Sequence, residues 1–284
     1  MDRNDYVIDP DMVELERLKE QGIEVTKHLP ELSVNIPFKK GGKGRIVDVA
    51  CGAAEWANEI AKAHPEAEII GFDKNASAIQ YANEQARIRN INNAEFRVLD
   101  LFEPLPFEDD SCIFVNARFV VGVIPRDYWL PVLRECYRIL QPGGVIQLVE
   151  SEVQSVVGDP HYHALQRASY QAFWQLGKSF APTEIALGPM LPKFLREASF
   201  SNMTTEASVI DYSFGTRAHE ILCEDFILAA QAMQKRGLFT TYGGLTQQQY
   251  DTAFTGMCEE MRNDPNFAAF WYILRFRASK PALL

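Results

Sequence analysis

From residue 45 to about 150, short and nearly continuous apolar runs alternate with longer amphipathic stretches. The runs 45–50, 68–73, 95–99, 112–117 and 144–150 are rich in Val, Ile and Phe, the composition of strands buried on both faces. Between them, 54–64, 76–90 and 126–140 space their apolar residues as helices do, and Pro142-Gly-Gly144 breaks the last of these before the fifth strand. This alternation predicts a doubly wound α/β architecture, a parallel sheet with helices on both faces. Right-handed crossovers would then gather the carboxyl ends of the strands along one edge. Asp48, Asp73, Asp100 and Asn116 all fall at such ends.

The flanks follow other patterns. Residues 11–29 place Met12, Leu15, Leu18 and Ile23 among charges, which predicts an N-terminal helix lying on the domain, followed by a Gly41-Gly-Lys-Gly44 linker. Residues 1–42 are therefore read as an N-terminal helical segment that either packs on the surface or forms a lid, and 43–284 as the main domain with helical cap elements at about 153–200 and 216–264. Within that region 160–178 and 191–198 read as helices, 204–214 as a strand, 217–236 and 246–262 as helices, and 267–278 as a last strand. A connection of about 50 residues between the last two strands is too long for a hairpin loop and is read as two inserted helices.

The first strand runs into Asp48-Val-Ala-Cys-Gly-Ala-Ala-Glu55, a turn of small residues that lets a ligand approach the backbone. A pyrophosphate site asks for G-x-G-x-x-G, so that backbone amides face a doubly charged group. Two of those glycines are missing here, and the turn carries carboxylates at both ends. Acidic groups there repel phosphate and suit a cation. Asp73 ends the next strand, where its carboxylate can take two ribose hydroxyls. An adenosine with a cationic amino-acid tail fits this set better than a dinucleotide does.

Over residues 43–152 the chain resembles the class I S-adenosylmethionine-dependent methyltransferases, most closely their quinone-biosynthesis and natural-product small-molecule branch. The first motif of that family, D/E-x-G-x-G-x-G, falls on Asp48, Ala50, Gly52 and Ala54, with alanine twice in place of glycine. Leu140-Gln-Pro-Gly-Gly144 matches its post-strand motif, typically L-x-P-G-G. The resemblance implies a Rossmann-like seven-stranded sheet with an antiparallel last strand, an N-terminal helical lid, and helical insertions after strands five and six. It also implies S-adenosyl-L-methionine as cofactor and S-adenosyl-L-homocysteine as product. Asp73, with Lys74 beside it, maps to the ribose position, Asp100 and Leu101 to the adenine, and Asn116 to the end of the fourth strand. Tyr6 and Arg17 belong to a segment similar to the lid.

Arg118 has three readings: a partner for the cofactor's carboxylate, an anchor for an acidic substrate, or a structural ion pair with Asp109 or Asp110. Arg17 is a second candidate for the carboxylate. Methyl transfer needs alignment and exclusion of water more than it needs a base. If a base acts, the candidates are Glu150, Glu152, His161 and His163, and the two histidines, two apart, cannot share one helix face. Phe119, Trp129, Tyr162, Tyr170, Phe173, Trp174 and Tyr212 either line an apolar acceptor pocket or pack the core.

The net charge of −10 argues against general attraction to nucleic acid, which is met by clustered Lys and Arg. Five cysteines at irregular spacing, without a Cys/His ligand pattern, suggest reduced thiols and no metal site. With no signal-like N-terminus and no apolar stretch approaching about 18 residues, the expectation is a cytoplasmic enzyme, monomer or homodimer, acting on a small molecule away from membranes. A cofactor-binding protein of the same fold without methyl transfer, a regulator or a cofactor-assisted cyclase, is the alternative. A nicotinamide oxidoreductase is disfavoured by the degraded glycine pattern.

Overall fold

The computed structural model describes residues 12–29, 36–38, 44–157 and 160–282. Seven strands form one sheet in the order β3-β2-β1-β4-β5-β7-β6. Strands β1 (Arg45–Val49), β2 (Glu68–Asp73), β3 (Ala94–Val98), β4 (Cys112–Arg118) and β5 (Leu140–Val156) pair in parallel. The last two, β6 (Ser201–Asp211) and β7 (Ala269–Ser279), are antiparallel to their neighbours. The order reverses between β1 and β4, the place where open parallel sheets leave a crevice for ligands.

Alternation along the inner strands builds two cores. Ile46, Ile69, Phe96 and Phe114 pack beneath Trp56 and Ile60 of α2 (Glu55–Ala63) and Ile79 of α3 (Ala76–Ile88). Their neighbours Val47, Ile70, Phe72 and Val115 point to the other face, against Trp129 and Leu133 of α4 (Trp129–Ile139). Each such side chain, fully removed from water, contributes roughly 1.5–3 kcal/mol. A third cluster joins α5 (Pro160–Gln175), α7 (His219–Lys235) and α8 (Gln247–Asn263) to the far ends of β5 and β7. Between α7 and α8 lies a π-helical turn, Leu238–Tyr242.

Several boundaries depart from the sequence pattern, among them the start of β5 at Leu140 and the span Ser201–Asp211 of β6. Helix α4 starts at Trp129 rather than near 126, because Pro125 opens a turn closed by Tyr128 N–H donating to Pro125 C=O at 2.9 Å. The preceding Arg126 is held by the cap instead, its guanidinium 4.1 Å over the Trp174 ring and donating to the Trp174 carbonyl. Strand β5 runs on to Val156, past the expected end near 150, because β7 pairs with it along that whole extension.

Helix α1 (Met12–His28) and α6 (Leu191–Glu197) complete the described elements. Helix α1 reaches α3, where the Tyr81 hydroxyl donates to Glu16 at 2.6 Å, and α7 through a buried ion pair. Thr246 accepts from Gln249 N–H while the Gln249 side chain returns to Thr246 N–H, a capping box at the start of α8. Thr246→Ala should lower the unfolding free energy by about 1 kcal/mol, read as a shifted urea midpoint with unchanged slope. Among the described residues no helix is long and apolar enough to cross a membrane.

Candidate active site

At the carboxyl ends of β1, β2 and β4 lies a cleft of about 350 Å³, walled by the turn after β1, helix α1, the segment after β4, and α7. The turn owes its shape to backbone that glycine would adopt easily. Ala50, Gly52 and Ala54 all have positive φ, at 50°, 52° and 59°. The two alanines thus sit where an L side chain costs roughly 1–2 kcal/mol. Strain of this kind concentrates where function fixes the backbone. Gly52 has open space where a Cβ would be, so a ligand can lie directly on the chain there.

Asp73 closes this turn from β2. Its Oδ2 accepts from Gly52 N–H at 3.0 Å and its Oδ1 from Asn75 N–H at 2.8 Å. A carboxylate offers about four acceptor sites, so one group can shape the loop and receive ribose hydroxyls. Asp48 is buried, and its Oδ1 accepts from Asn116 Nδ2 at 2.8 Å. Burial pushes its pKa up to about 7, against the Asn116 bond and the charge of Arg118.

Arg118 does not pair with Asp109 or Asp110, which bind Arg138 and Lys280 instead. It lines the cleft, donates to Thr26 Oγ1 at 3.3 Å, and lies 5.7 Å from the Phe119 ring centroid. Burial lowers its pKa to about 10, with Asp48 and Glu55 opposing. Arg17 also lines the cleft but is engaged by the protein. Its Nε and Nη2 grip Glu14 at 2.7 and 2.5 Å, and Nη1 donates to Asp225 of α7 at 2.5 Å. Gln21 donates to the other Asp225 oxygen at 2.8 Å. Arg17 therefore fastens α1 to α7, its guanidinium taken up by Glu14 and Asp225.

A narrow recess adjoins the cleft, sharing Ala50, Asp73 and Val123 and bounded by Lys74, Leu99, Asp100, Leu101 and Phe102. It collects the residues mapped to adenine, yet measures only about 10 Å³, so seating a purine requires its side chains to yield. Asp100 is exposed and accepts from Phe102 N–H at 2.9 Å.

The opposite end of the cleft is apolar. Phe119, Phe173, Phe226, Met233 and Trp271 line it. Trp271 stacks on Phe119 at 5.5 Å and meets Phe226 edge-on at 5.3 Å. Phe119 has φ 55°, an outlier for a bulky residue, anchored by its N–H donating to Val149 C=O at 2.8 Å. Ser151 is the polar group on this wall, and its Oγ accepts from Trp271 Nε1 at 2.6 Å.

The expected bases are placed elsewhere. His161 Nδ1 lies 3.0 Å from Glu260 of α8, packed where Gly256 leaves room for its ring. His163 sits beside Tyr162, and neither histidine lines the cleft. Glu152 accepts from Gly188 N–H at 2.9 Å, in the loop before α6. Trp129 and Tyr212 are core residues, while Phe119 and Phe173 do reach the cleft. Trp271, Phe226 and Ser151 were not singled out in the sequence, because strand and helix patterns say nothing about which residues of β7 and α7 converge on β5. Tyr6 lies outside the described residues. Among the described residues no group of His, Cys, Asp and Glu could hold a metal ion.

Residues 46–144 match the family model described as a methyltransferase domain. The motif order and the seven-stranded fold agree with this match, which spans 99 of the 284 residues, and with the resemblance to class I S-adenosylmethionine-dependent methyltransferases. It is similar to a protein named demethylmenaquinone methyltransferase from Geobacillus kaustophilus, 28% identical over 61% of this chain and 76% of the relative. One of the same name from Listeria welshimeri is 32% identical over 40% of this chain, an alignment spanning only about half, 47%, of that relative. Among solved structures, phosphoethanolamine N-methyltransferase 2 of Haemonchus contortus, a complex with S-adenosylhomocysteine, shares the fold. There the TM-score is 0.54 at 17% identity, covering 95% of this chain and 57% of that one.

Proposed function

We propose that this enzyme binds S-adenosyl-L-methionine in the acidic half of the cleft and methylates a flat, largely apolar ring through an ionised oxygen or an adjacent carbon. The observation that carries the acceptor reading is the aromatic wall of Phe119, Phe226 and Trp271 with one hydroxyl, Ser151, set into it. The relatives named for demethylmenaquinone support a ring acceptor of this kind.

The residues divide the task. Asp73 takes the ribose hydroxyls, the surface over Gly52 admits the chain of the cofactor, Asp48 attracts its ammonium, and Arg118 its carboxylate. The cofactor supplies a methyl group already activated by a sulfonium. The protein's part is to hold the acceptor against that group and keep water out. Because the indole N–H occupies Ser151 Oγ as acceptor, the Ser151 hydroxyl is left to donate, and an acceptor oxygen is the partner it suits. The carboxylates of the cleft, Glu14, Asp48, Glu55 and Asp73, lie on the walls formed by α1, the turn and β2. A dihydroxynaphthalene, whose phenolic hydroxyls titrate at about 10 and lose a proton to water in a small fraction of molecules at neutral pH, can react through that fraction with no more than this.

The test is incubation with S-adenosyl-L-methionine labelled in its methyl group, offering 1,4-dihydroxynaphthalene, 1-naphthylamine and naphthalene as separate probes. Label should enter the dihydroxy compound, and Ser151→Ala should slow that transfer about tenfold, the effect of losing one hydrogen bond to a charged oxygen. Label in the amine alone, or in no probe despite cofactor binding, would refute the acceptor reading.

A further inference from the structure

Four adjacent strands contribute one polar residue each to a single row across the sheet. Asp48 of β1 is in register with Asn116 of β4, Asn116 with Gln147 of β5, and Gln147 with Arg277 of β7. Their side chains are joined end to end. Arg277 Nε donates to Gln147 Oε1 at 2.8 Å, Gln147 Nε2 to Asn116 Oδ1 at 3.0 Å, and Asn116 Nδ2 to Asp48 Oδ1 at 2.8 Å. Asn116 and Gln147 are buried, the first directly after the apolar run Cys112–Val115 and the second inside the run Val145-Ile-Gln-Leu-Val149.

The direction of the row follows from the donors available. A guanidinium has no acceptor, so Gln147 must turn its oxygen to Arg277 and its amide hydrogens to Asn116. Asn116 must then turn its oxygen to Gln147 and its amide hydrogens to Asp48. Such chains polarise one another in a low-dielectric interior. A cation at one end and a carboxyl at the other place every dipole in its favourable sense.

We propose that Arg277, Gln147 and Asn116 form a polarised relay that orients Asp48 and favours its ionised form, so that cofactor affinity near neutral pH is set in part from the far side of the sheet. This rests on the reading of the cleft as the cofactor site. Asn116 then touches the group that meets the cofactor, while Gln147 and Arg277 are positioning residues. The other charged or titratable groups facing Asp48 are Asp73 of β2, Arg118 of β4, Cys51 of the turn, Glu55 of α2, and Glu14 and Arg17 of α1. All are left untouched by changes at 147 and 277.

The relay can be reversed by one substitution. In Gln147→Glu the new carboxylate accepts from both Arg277 and Asn116, so Asn116 must flip and present its oxygen to Asp48. Only a protonated Asp48 tolerates that contact. Arg277→Met removes the constraint without imposing the reverse order, and should act in the same direction with a smaller effect.

Calorimetric titration with S-adenosyl-L-homocysteine from pH 5.5 to 8.5 reads the outcome, with the carbon-13 shift of the Asp48 carboxyl in ligand-free protein as an independent titration. In the wild type, affinity should rise with pH and level off as Asp48 ionises. In Gln147→Glu the midpoint should move up by about one pH unit, with about fivefold weaker binding at pH 7. In Arg277→Met it should move up by about half a unit. Thermal melting identifies a variant that fails to fold, in which case the other decides. Midpoints unmoved in both titrations would overturn the relay. A wild type that binds no S-adenosyl-L-homocysteine would instead overturn the cofactor reading, and the carbon-13 titration would still decide whether the relay governs Asp48.

Discussion

Replacing Asp73 with alanine is expected to weaken S-adenosyl-L-homocysteine binding at least about a hundredfold, the loss of two hydrogen bonds to a charged acceptor at about 1.5–3 kcal/mol each. Two further effects act in the same direction. Without the carboxylate, Gly52 N–H loses its acceptor at 3.0 Å, and the strained turn of Ala50, Gly52 and Ala54 loses the contact that pins it from β2. Asn75 N–H, at the N-terminus of α3, is released as well, although the Asn75 side chain still caps Ala78 N–H. Asp73→Asn keeps one oxygen for the backbone and should bind better than the alanine variant but far worse than the wild type. Asp100→Ala, at an exposed carboxylate beside the narrow recess, should cost only a few-fold. Calorimetry on protein checked by melting separates binding from folding. Affinity within threefold of wild type in Asp73→Ala would remove the basis for the ribose assignment.

The acidic half of the cleft was legible in the sequence because its parts are local. A strand, a small-residue turn and an acid at the next strand end sit within 30 residues of one another, so hydrophobic runs and turn chemistry place Asp48, Gly52 and Asp73 without tertiary knowledge. The order of strands and helices was legible for the same reason, apart from the Pro125 turn and the extension of β5. The aromatic half was not. It is assembled from β5, α7 and β7, as much as 120 residues apart in the contact between Ser151 and Trp271, and only pairing along the long β5 extension brings them together. Histidines drew notice in the sequence for their chemistry, yet His161 serves as a packed partner of Glu260. The polar row was visible only as a Gln inside the run Val145-Ile-Gln-Leu-Val149, an interruption whose meaning depends on the register of four strands. Arg17 shows the converse: it does reach the cleft, but two carboxylates, one of them 208 residues away, occupy its guanidinium.

Glu150→Gln should make the protein more stable than wild type at alkaline pH and leave it unchanged in acid. Glu150 is buried at the end of the run that feeds the cleft, its Oε1 accepting from Val120 N–H at 2.9 Å and its Oε2 without a hydrogen-bond partner among the described residues. Burial pushes its pKa from 4.5 up to about 8, outweighing the backbone N–H groups of Val120 and Val121 that pull it down. Between those two values the folded protein keeps a proton that the unfolded chain releases. Stability is therefore full below about pH 4.5 and is lost as pH rises toward 8, by on the order of a few kcal/mol. Glutamine is uncharged at every pH and can still accept from Val120 N–H. Asp48, raised from 3.8 to about 7 chiefly by burial, adds a slope of the same sign in both proteins, so the readout is their difference. Urea unfolding at pH 4, 6.5 and 8.5 should give a gap that is near zero at the first and widest at the last. A gap independent of pH would mean that Glu150 does not titrate in this window. The same ionisation reaches function through position. Glu150 holds the backbone next to Phe119, Val121 and Val123, which line the cleft, so the cost of burying its charge, only partly offset by the Val120 and Val121 N–H groups, falls on the segment that carries the aromatic wall. Methyl transfer by the wild type should accordingly fall between pH 7.5 and 9 while Glu150→Gln retains its rate.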